Sequence, residues 1–352
     1  MKEEITDHTI FMRRCLELAA LGAGNVAPNP MVGAVLVYNG KIIGEGYHQR
    51  YGEAHAEVNA INNAIEKGFA EAVSKSVIYV SLEPCAHFGK TPPCTDLIIR
   101  HKIPKVVIGC RDPFKEVNGK GIEKLQAAGI EVVSGIMENE FMEINRRFFT
   151  FHTKHRPYII LKWAQTENRK IASLGTERLL ITNEKTNRLV HKWRGEEAGI
   201  LIGTNTALAD NPELTTRLWP GNSPVRLVID MNLRLPSSLK IFNSNTKTIV
   251  FNKIKHEQDG NVLFYQITDD VSIVQQVVNA LYYLKIQSLI VEGGTLLLQS
   301  FIEENLWDEA RVITNTKMKI ENGPPAPQLV NAAESSADES TGDLINIFKP
   351  VS

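Results

Sequence analysis

HAEVNAINNAIEKGFAEAVSKSVIYVSLEPCAHFGKTPPC, residues 55–94, opens on His55-Ala56-Glu57 and closes on Cys85 and Cys94. His55, Cys85 and Cys94 are zinc-ligand types. A zinc ion with three protein ligands keeps its fourth position for water, which makes the site catalytic rather than structural. Zinc lowers the pKa of that water towards ~7 and so provides hydroxide at neutral pH. Glu57 is the expected proton shuttle from the water to a leaving amine. Alone, Glu57 would read as a solvated surface acid, and the three ligand residues as a structural zinc site or buried thiols. Together they favour the catalytic reading.

The same stretch sets the local fold. A helix from about Ala54 to Lys67 is predicted by Ala56, Ala60, Ile61, Ala64 and Ile65 at helical intervals. His55 and Glu57 fall in its first turn, where the helix dipole favours negative charge. Ser76–Leu82 reads as a buried strand leading through Glu83-Pro84 to Cys85. Pro92-Pro93-Cys94 opens a helix from Thr95 to about His101, which places Cys94 at a helix N-terminus and favours its thiolate.

His-x-Glu followed by Pro-Cys and a second Cys is the signature of zinc-dependent base deaminases. Eight residues separate the two cysteines here, where the short pattern has two. The long form PCAHFGKTPPC, with PNPMVGAVLV at 28–37 and IIGEGYHQRYGEAHAEV at 42–58, closely resembles the N-terminal domain of the bifunctional riboflavin-biosynthesis deaminase/reductase family. The resemblance extends over nearly the whole chain. It implies that Asn29 holds a pyrimidine, that His48 and His87 lie around the substrate, and that Lys90 meets a phosphate or ribose. Without it, Asn29 would be a turn former and the two histidines incidental loop residues.

The chain has 352 residues, 43% apolar and 22% charged, enough for two globular domains. Its net charge of −1 argues against a nucleic-acid surface, which needs a basic excess. No apolar run is long enough to span a membrane. The charged start MKEEITDHTIF has no apolar signal core, so a cytoplasmic protein is expected. Four cysteines make no disulfide framework, and a reducing compartment suits metal-binding thiolates. Cys15 and Cys110 read as core.

From the start, Asp7–Ala23 reads as an amphipathic helix, 25–30 as a loop, and Gly33–Val37 and Lys41–Tyr47 as a hairpin through Asn39-Gly40. After Cys94 come strands at 105–109 and 131–133, a helix at 121–128, and one helix from Glu138 to about Phe151. A helix-covered sheet follows from this alternation. The boundary is placed at 153/154. The second half offers strands at 158–163, 199–202, 225–229, 248–251, 288–291 and 309–313, with helices at 184–194 and 271–284. From about residue 331 the composition is small and polar, and a loose tail is expected.

No G-x-G-x-x-G follows the first strand of the second half. Instead Val291-Glu292-Gly293-Gly294-Thr295 joins a strand to a helix at 296–303, whose N-terminus could hold a phosphate. By itself this is an ordinary turn. With IGTNTALADNPELTTR at 202–217 it resembles the reductase domain of the same family, which implies a dihydrofolate-reductase-like fold using NADPH to reduce a ribose to a ribitol. By that resemblance Thr206, Asp210, Gly293, Gly294 and Thr295 contact the cofactor. Arg194, Leu214, Arg217 and Glu292 contact the phosphorylated substrate, and Lys162 is the active-site lysine. Arginine pairs well with phosphate. Lys162, or a water held by Asp210, could give the proton that must arrive opposite the hydride. Where the family has an Asp-Gly pair after the lysine strand, this chain reads Thr166-Glu167-Asn168-Arg169-Lys170.

The expectation is a two-domain α/β enzyme of riboflavin synthesis. Zinc hydroxide deaminates the diaminopyrimidinone ribosyl phosphate derived from GTP, and NADPH then reduces its ribosyl group to ribityl. The expected protein is a homo-oligomer, dimer or tetramer. Two other readings stay open: a deaminase whose second domain does not reduce, motivated by the 166–170 loop, and a nucleic-acid base editor sharing the zinc motif.

Overall fold

The computed structural model describes residues 7–88, 92–173 and 179–351. The chain divides after His155 into two compact units. In the first, the order is α1 (His8–Ala20), β1 (Gly33–Tyr38), β2 (Lys41–Tyr47), α2 (Ala56–Glu66), β3 (Val77–Leu82), α3 (Cys94–Arg100), β4 (Lys105–Cys110), α4 (Lys120–Ala127), β5 (Glu131–Ser134), α5 (Glu138–Ile144) and α6 (Arg146–Lys154). Among the described residues these strands form one sheet, ordered β2-β1-β3-β4-β5. The β1 strand is antiparallel to β2 and β3, while β3, β4 and β5 run parallel.

Strand side chains alternate between faces, and both faces here are covered. Ala34, Leu36, Ile78, Val80, Val106 and Ile108 pack with Ala60, Ile61, Ile98 and Leu125 of α2, α3 and α4. Val35, Val37, Tyr79 and Val107 pack with Met12, Cys15, Leu18 and Phe141 of α1 and α5. Two glycines set how close α2 lies. A Cβ on Gly44 would sit 2.3 Å from the Ala60 carbonyl oxygen, and one on Gly46 would sit 2.3 Å from the Ala60 nitrogen. That approach seats the N-terminus of α2, with His55 and Glu57, beside the end of β3.

The second unit runs β6 (Tyr158–Thr166), α7 (Glu184–Glu196), β7 (Gly199–Gly203), α8 (Thr204–Asp210), β8 (Val225–Ile229), β9 (Thr248–Asn252), β10 (Glu257–Asp259), β11 (Val262–Gln266), α9 (Ile273–Tyr283), β12 (Ser288–Val291), α10 (Thr295–Glu303), β13 (Glu309–Asn315), β14 (Ala332–Asp338) and β15 (Leu344–Pro350). The sheet order is β10-β11-β9-β8-β7-β12-β6-β13-β15-β14. From β11 to β13 neighbouring strands are parallel. Leu161, Leu201, Leu227 and Leu289 face α9 and α10, whereas Ile160, Ile200, Val228 and Ile290 face α7. The chain leaves β7 towards β8 on one side and reaches β12 on the other. A crevice at the carboxyl ends of such strands is where open parallel sheets take ligands.

Two expectations are corrected. The helix expected from Glu138 to Phe151 is two helices meeting at Asn145, whose side chain leaves the helical pattern to bond the Met31 backbone. The loose tail expected from about 331 is instead the hairpin β14–β15, paired to β13 through β15. Its small polar residues reflect an exposed edge strand, stabilised by backbone pairing rather than burial. The strands β10 and β11, and the helix α8, also escaped the sequence reading.

Candidate active sites

His55 is the N-cap residue of α2, Cys85 follows the exit of β3, and Cys94 is the first residue of α3. Their ligand atoms all lie within 4.8 Å of one another. His55 Nδ1 is 3.7 Å from Cys85 Sγ and 3.4 Å from Cys94 Sγ. A tetrahedral zinc with ordinary bond lengths holds nitrogen and sulfur donors about 3.5 Å apart. The donors therefore fit zinc in type and in separation. The Cys94 amide donates to Cys85 Sγ at 3.3 Å, and the Thr95 amide and hydroxyl both donate to the Cys85 carbonyl at 3.2 Å. Hydrogen bonding from the Cys94 thiol holds Cys85 down to about 4, while the same bond and burial push Cys94 up.

Glu57 is 3% exposed, and its burial raises it above the ordinary carboxylate range. The other acid of the stretch, Glu83, is also buried but is spent on structure. It accepts from the amides of Gly119 and Gly121 at 2.9 Å, and of Asp112 and Ile122 at 3.3 Å. Glu83 thereby caps α4 and holds the segment beyond β4. Asp112, which the sequence reading did not single out, lies near Cys85 and is raised to about 7 by burial.

Asn29 and His48 meet beside the cluster of His55, Cys85 and Cys94. His48 is buried, which lowers its pKa. Its Nδ1 is 3.1 Å from the Ala54 carbonyl and its Nε2 is 3.1 Å from Asn29 Nδ2. A carbonyl can only accept, so Nδ1 carries the hydrogen, Nε2 accepts, and the Asn29 amide donates. The His48 ring stands edge-on to His55 at 5.4 Å. His87 is half-buried and edge-on to Phe114 at 6.1 Å, with a buried Nδ1 that has no partner among the described residues. Lys90 lies outside the described residues.

In the second unit a cavity of about 890 Å³ opens at the carboxyl ends of β6, β7, β8 and β12. Lys162, Arg194, Thr206, Asp210, Arg217, Glu292, Gly293, Gly294 and Thr295 all line it. Leu214 does not: its side chain is 2% exposed in the core, and its φ of 56° is left-handed. At its floor the Arg194 Nε and Nη2 fork onto the Glu292 carboxylate at 2.8 and 2.7 Å, with Lys162 Nζ at 3.8 Å. Burial alone would raise Glu292, but Arg194 and Lys162 outweigh it and hold it at about 2. Gly293 has no room for a side chain, since a Cβ there would meet Ile202 Cα at 2.7 Å, and Gly294 has a left-handed φ of 44°. The Thr295 hydroxyl donates to the Pro325 carbonyl, which leaves its amide at the head of α10. Sequence reasoning missed His191 and Arg234, which also line the cavity. His191 is one helical turn before Arg194. Burial and the charges of Arg194 and Arg217 lower it to about 4.

The 166–170 segment that departs from the Asp-Gly pattern is well held. Arg169 adopts the left-handed φ of 57° that a glycine would take. The Thr166 amide donates to the Lys170 carbonyl at 2.9 Å. Asn168 Nδ2 donates to the Ile320 carbonyl at 2.8 Å, and its Oδ1 accepts from the Ile320 amide at 3.3 Å. The Ala326 amide donates to the Arg169 carbonyl at 2.8 Å. The turn, together with the 318–326 segment, thus supports the cavity wall at Ile171, Ala172 and Pro324.

The chain matches the cytidine and deoxycytidylate deaminase zinc-binding region over residues 5–110 and the RibD C-terminal domain over residues 157–320. It is 42% identical to the riboflavin biosynthesis protein RibD of Aquifex aeolicus over 315 residues, 88% of this chain and 86% of that protein. It is 34% identical to the protein of that name from Escherichia coli K12, over 88% of this chain and 87% of the relative. A diaminohydroxyphosphoribosylaminopyrimidine deaminase/5-amino-6-(5-phosphoribosylamino)uracil reductase from Thermotoga maritima has a similar crystal structure, with TM-score 0.87 and 36% identity over 97% of this chain and 98% of that one.

Proposed function

The chain belongs to the bifunctional deaminase/reductase family of riboflavin biosynthesis, and on that premise we propose how its residues divide the two reactions. Residues 1–155 carry the deaminase and 156–352 the reductase. The first is a cytidine-deaminase-like α/β/α domain, and the second is a dihydrofolate-reductase-like α/β domain. The substrate is the phosphoribosylamino-pyrimidinone left when the imidazole ring of GTP is opened.

In the first site His55 Nδ1, Cys85 Sγ and Cys94 Sγ hold zinc, which when bound lowers the pKa of water towards ~7. Glu57 takes the proton of the attacking water and delivers it to the departing nitrogen, so that ammonia leaves. Its desolvated carboxyl, raised in pKa, suits transfer in both directions near neutral pH. Asn29, with one amide hydrogen on His48, offers Oδ1 to the pyrimidine N–H edge. His87 Nδ1 provides a further polar contact, and Lys90 meets the phosphate or ribose.

The second site would hold NADPH, which when bound would supply the hydride that reduces the ribosyl group. Thr206, Asp210 and the Gly293-Gly294-Thr295 backbone hold the nucleotide, with the head of α10 towards a phosphate. Lys162 donates the proton to the substrate oxygen or nitrogen, opposite the hydride. Glu292 orients both Lys162 and Arg194. Arg217, and Arg194 through its remaining Nη1, face the substrate phosphate, and Leu214 contributes its backbone. The substrates are free small molecules and the setting is cytoplasmic. No helix among the described residues is long and apolar enough to cross a membrane. The active protein is a homo-oligomer.

The observation that carries this reading is a three-donor cluster with zinc-like separations beside a buried glutamate. Chelation tests it. Removing the metal should abolish ammonia release, leave reduction of the pre-deaminated substrate by NADPH intact, and be reversed by added zinc. Undiminished ammonia release from zinc-free protein would contradict it.

A further inference from the structure

We propose that Asn145 is a positioning residue of the deaminase, holding the 28–31 loop so that Asn29 meets the pyrimidine. The proposal rests on the assignment of Asn29 above. Asn145 sits where α5 gives way to α6 and is only 3% exposed. Its Oδ1 accepts from the Met31 amide at 2.8 Å, and its Nδ2 donates to the Met31 carbonyl at 2.9 Å. Asparagine alone among side chains of this size offers one acceptor and one donor in that order. Aspartate would set an acceptor against the carbonyl, and alanine would leave both partly buried backbone groups of Met31 without this partner.

Met31 is two residues from Asn29, and the loop is secured on both sides of that residue. The Asn29 amide N–H donates to the Val26 carbonyl at 2.8 Å, and the His48 amide donates to the Val32 carbonyl at 2.9 Å. The Asn29 side chain then reaches His48, which is bonded to Ala54, the residue before the zinc ligand His55. Asn145 is thus the far anchor of a chain of bonds that ends at the metal-binding segment. It touches neither the zinc ligands nor Glu57 directly.

The test uses the full-length, zinc-loaded protein and four variants: Asn145→Ala, Asn145→Asp, Asn29→Ala and the Asn145→Ala/Asn29→Ala double. Losing the clamp should raise the deaminase KM about tenfold in both Asn145 variants, the scale of one or two lost buried hydrogen bonds. Zinc content and the reductase KM for NADPH should not change. The aspartate variant matters because it preserves volume and so separates hydrogen bonding from packing. In the Asn29→Ala background, Asn145→Ala should add no more than about twofold, because the two act along one route. An Asn145→Asp variant with unchanged KM overturns the proposal, and so does a full additional penalty in the double variant. Loss of zinc from both Asn145 variants also overturns it, since Asn145 would then support the fold generally. If Asn29→Ala itself leaves KM unaltered, the assignment of Asn29 fails first and the route through it fails with it.

Discussion

Glu57 and Glu83 lie 26 positions apart in one stretch, and both are nearly inaccessible to solvent, at 3% and 4% exposed. Their partners separate them. Glu83 receives four backbone amides, whereas Glu57 faces the zinc donors. Glu83→Gln should therefore cost about 1–3 kcal/mol of stability, seen as a lower Tm, with turnover largely kept. Glu57→Gln should keep Tm but lose about 10²–10⁴-fold in deamination rate. At the second site, protonation sets the acid limit. His191 has a folded pKa of about 4, below its ordinary 6.5, so the unfolded chain takes up a proton that the folded chain resists. Stability falls as pH drops below about 6.5, and the loss is complete near 4. Glu292, at about 2 when folded, adds stability present above 4.5 and lost between 4.5 and 2. Calorimetry from pH 7 to 3 should show a reductase transition that falls in both windows, with the upper one flattened in His191→Gln. The clustering of His55, Cys85 and Cys94 was legible because these residue types recur at a telling spacing. Asn145 and His191 were not, since an ordinary polar residue becomes informative only when its burial and its partner, 114 positions away for Asn145, are known.

The turn between β6 and the 179–183 segment shows how elements absorb a departure from pattern. Arginine in a left-handed conformation costs about 1–2 kcal/mol relative to its favoured backbone. Here the surrounding bonds to Ile320 and Ala326 impose it. This clamp lies next to Ala172 and Pro324 in the cavity wall. Asn168→Asp would put a carboxylate against the Ile320 carbonyl and remove a donor. It should lower the Tm of the reductase unit by the equivalent of about 1 kcal/mol and raise the KM for NADPH, while deamination is unchanged. An unaltered Tm and KM would mean the clamp is idle. Buried parallel strands were readable from apolar runs such as Ile159-Ile160-Leu161 and Leu289-Ile290-Val291. The edge strands β10 and β14 were not, because their stabilisation comes from backbone pairing and their side chains are exposed and polar.

At the scale of the molecule, each unit has its own sheet, its own core and its own site. The donors of the first site come from the ends of α2, β3 and α3, and the walls of the second come from the carboxyl ends of parallel strands. The two-domain α/β plan was legible because periodicity and motif agreed in both halves. On the proposed function, one chain runs two separable reactions in series. The most direct measurement follows ammonia release and NADPH absorbance together on the deaminase substrate, with zinc-loaded wild-type and Glu57→Gln protein. Wild type should show both signals. Glu57→Gln should show neither, yet should oxidise NADPH normally when given the deaminated compound. Ammonia without any fall in NADPH, even from the deaminated compound, would contradict the account.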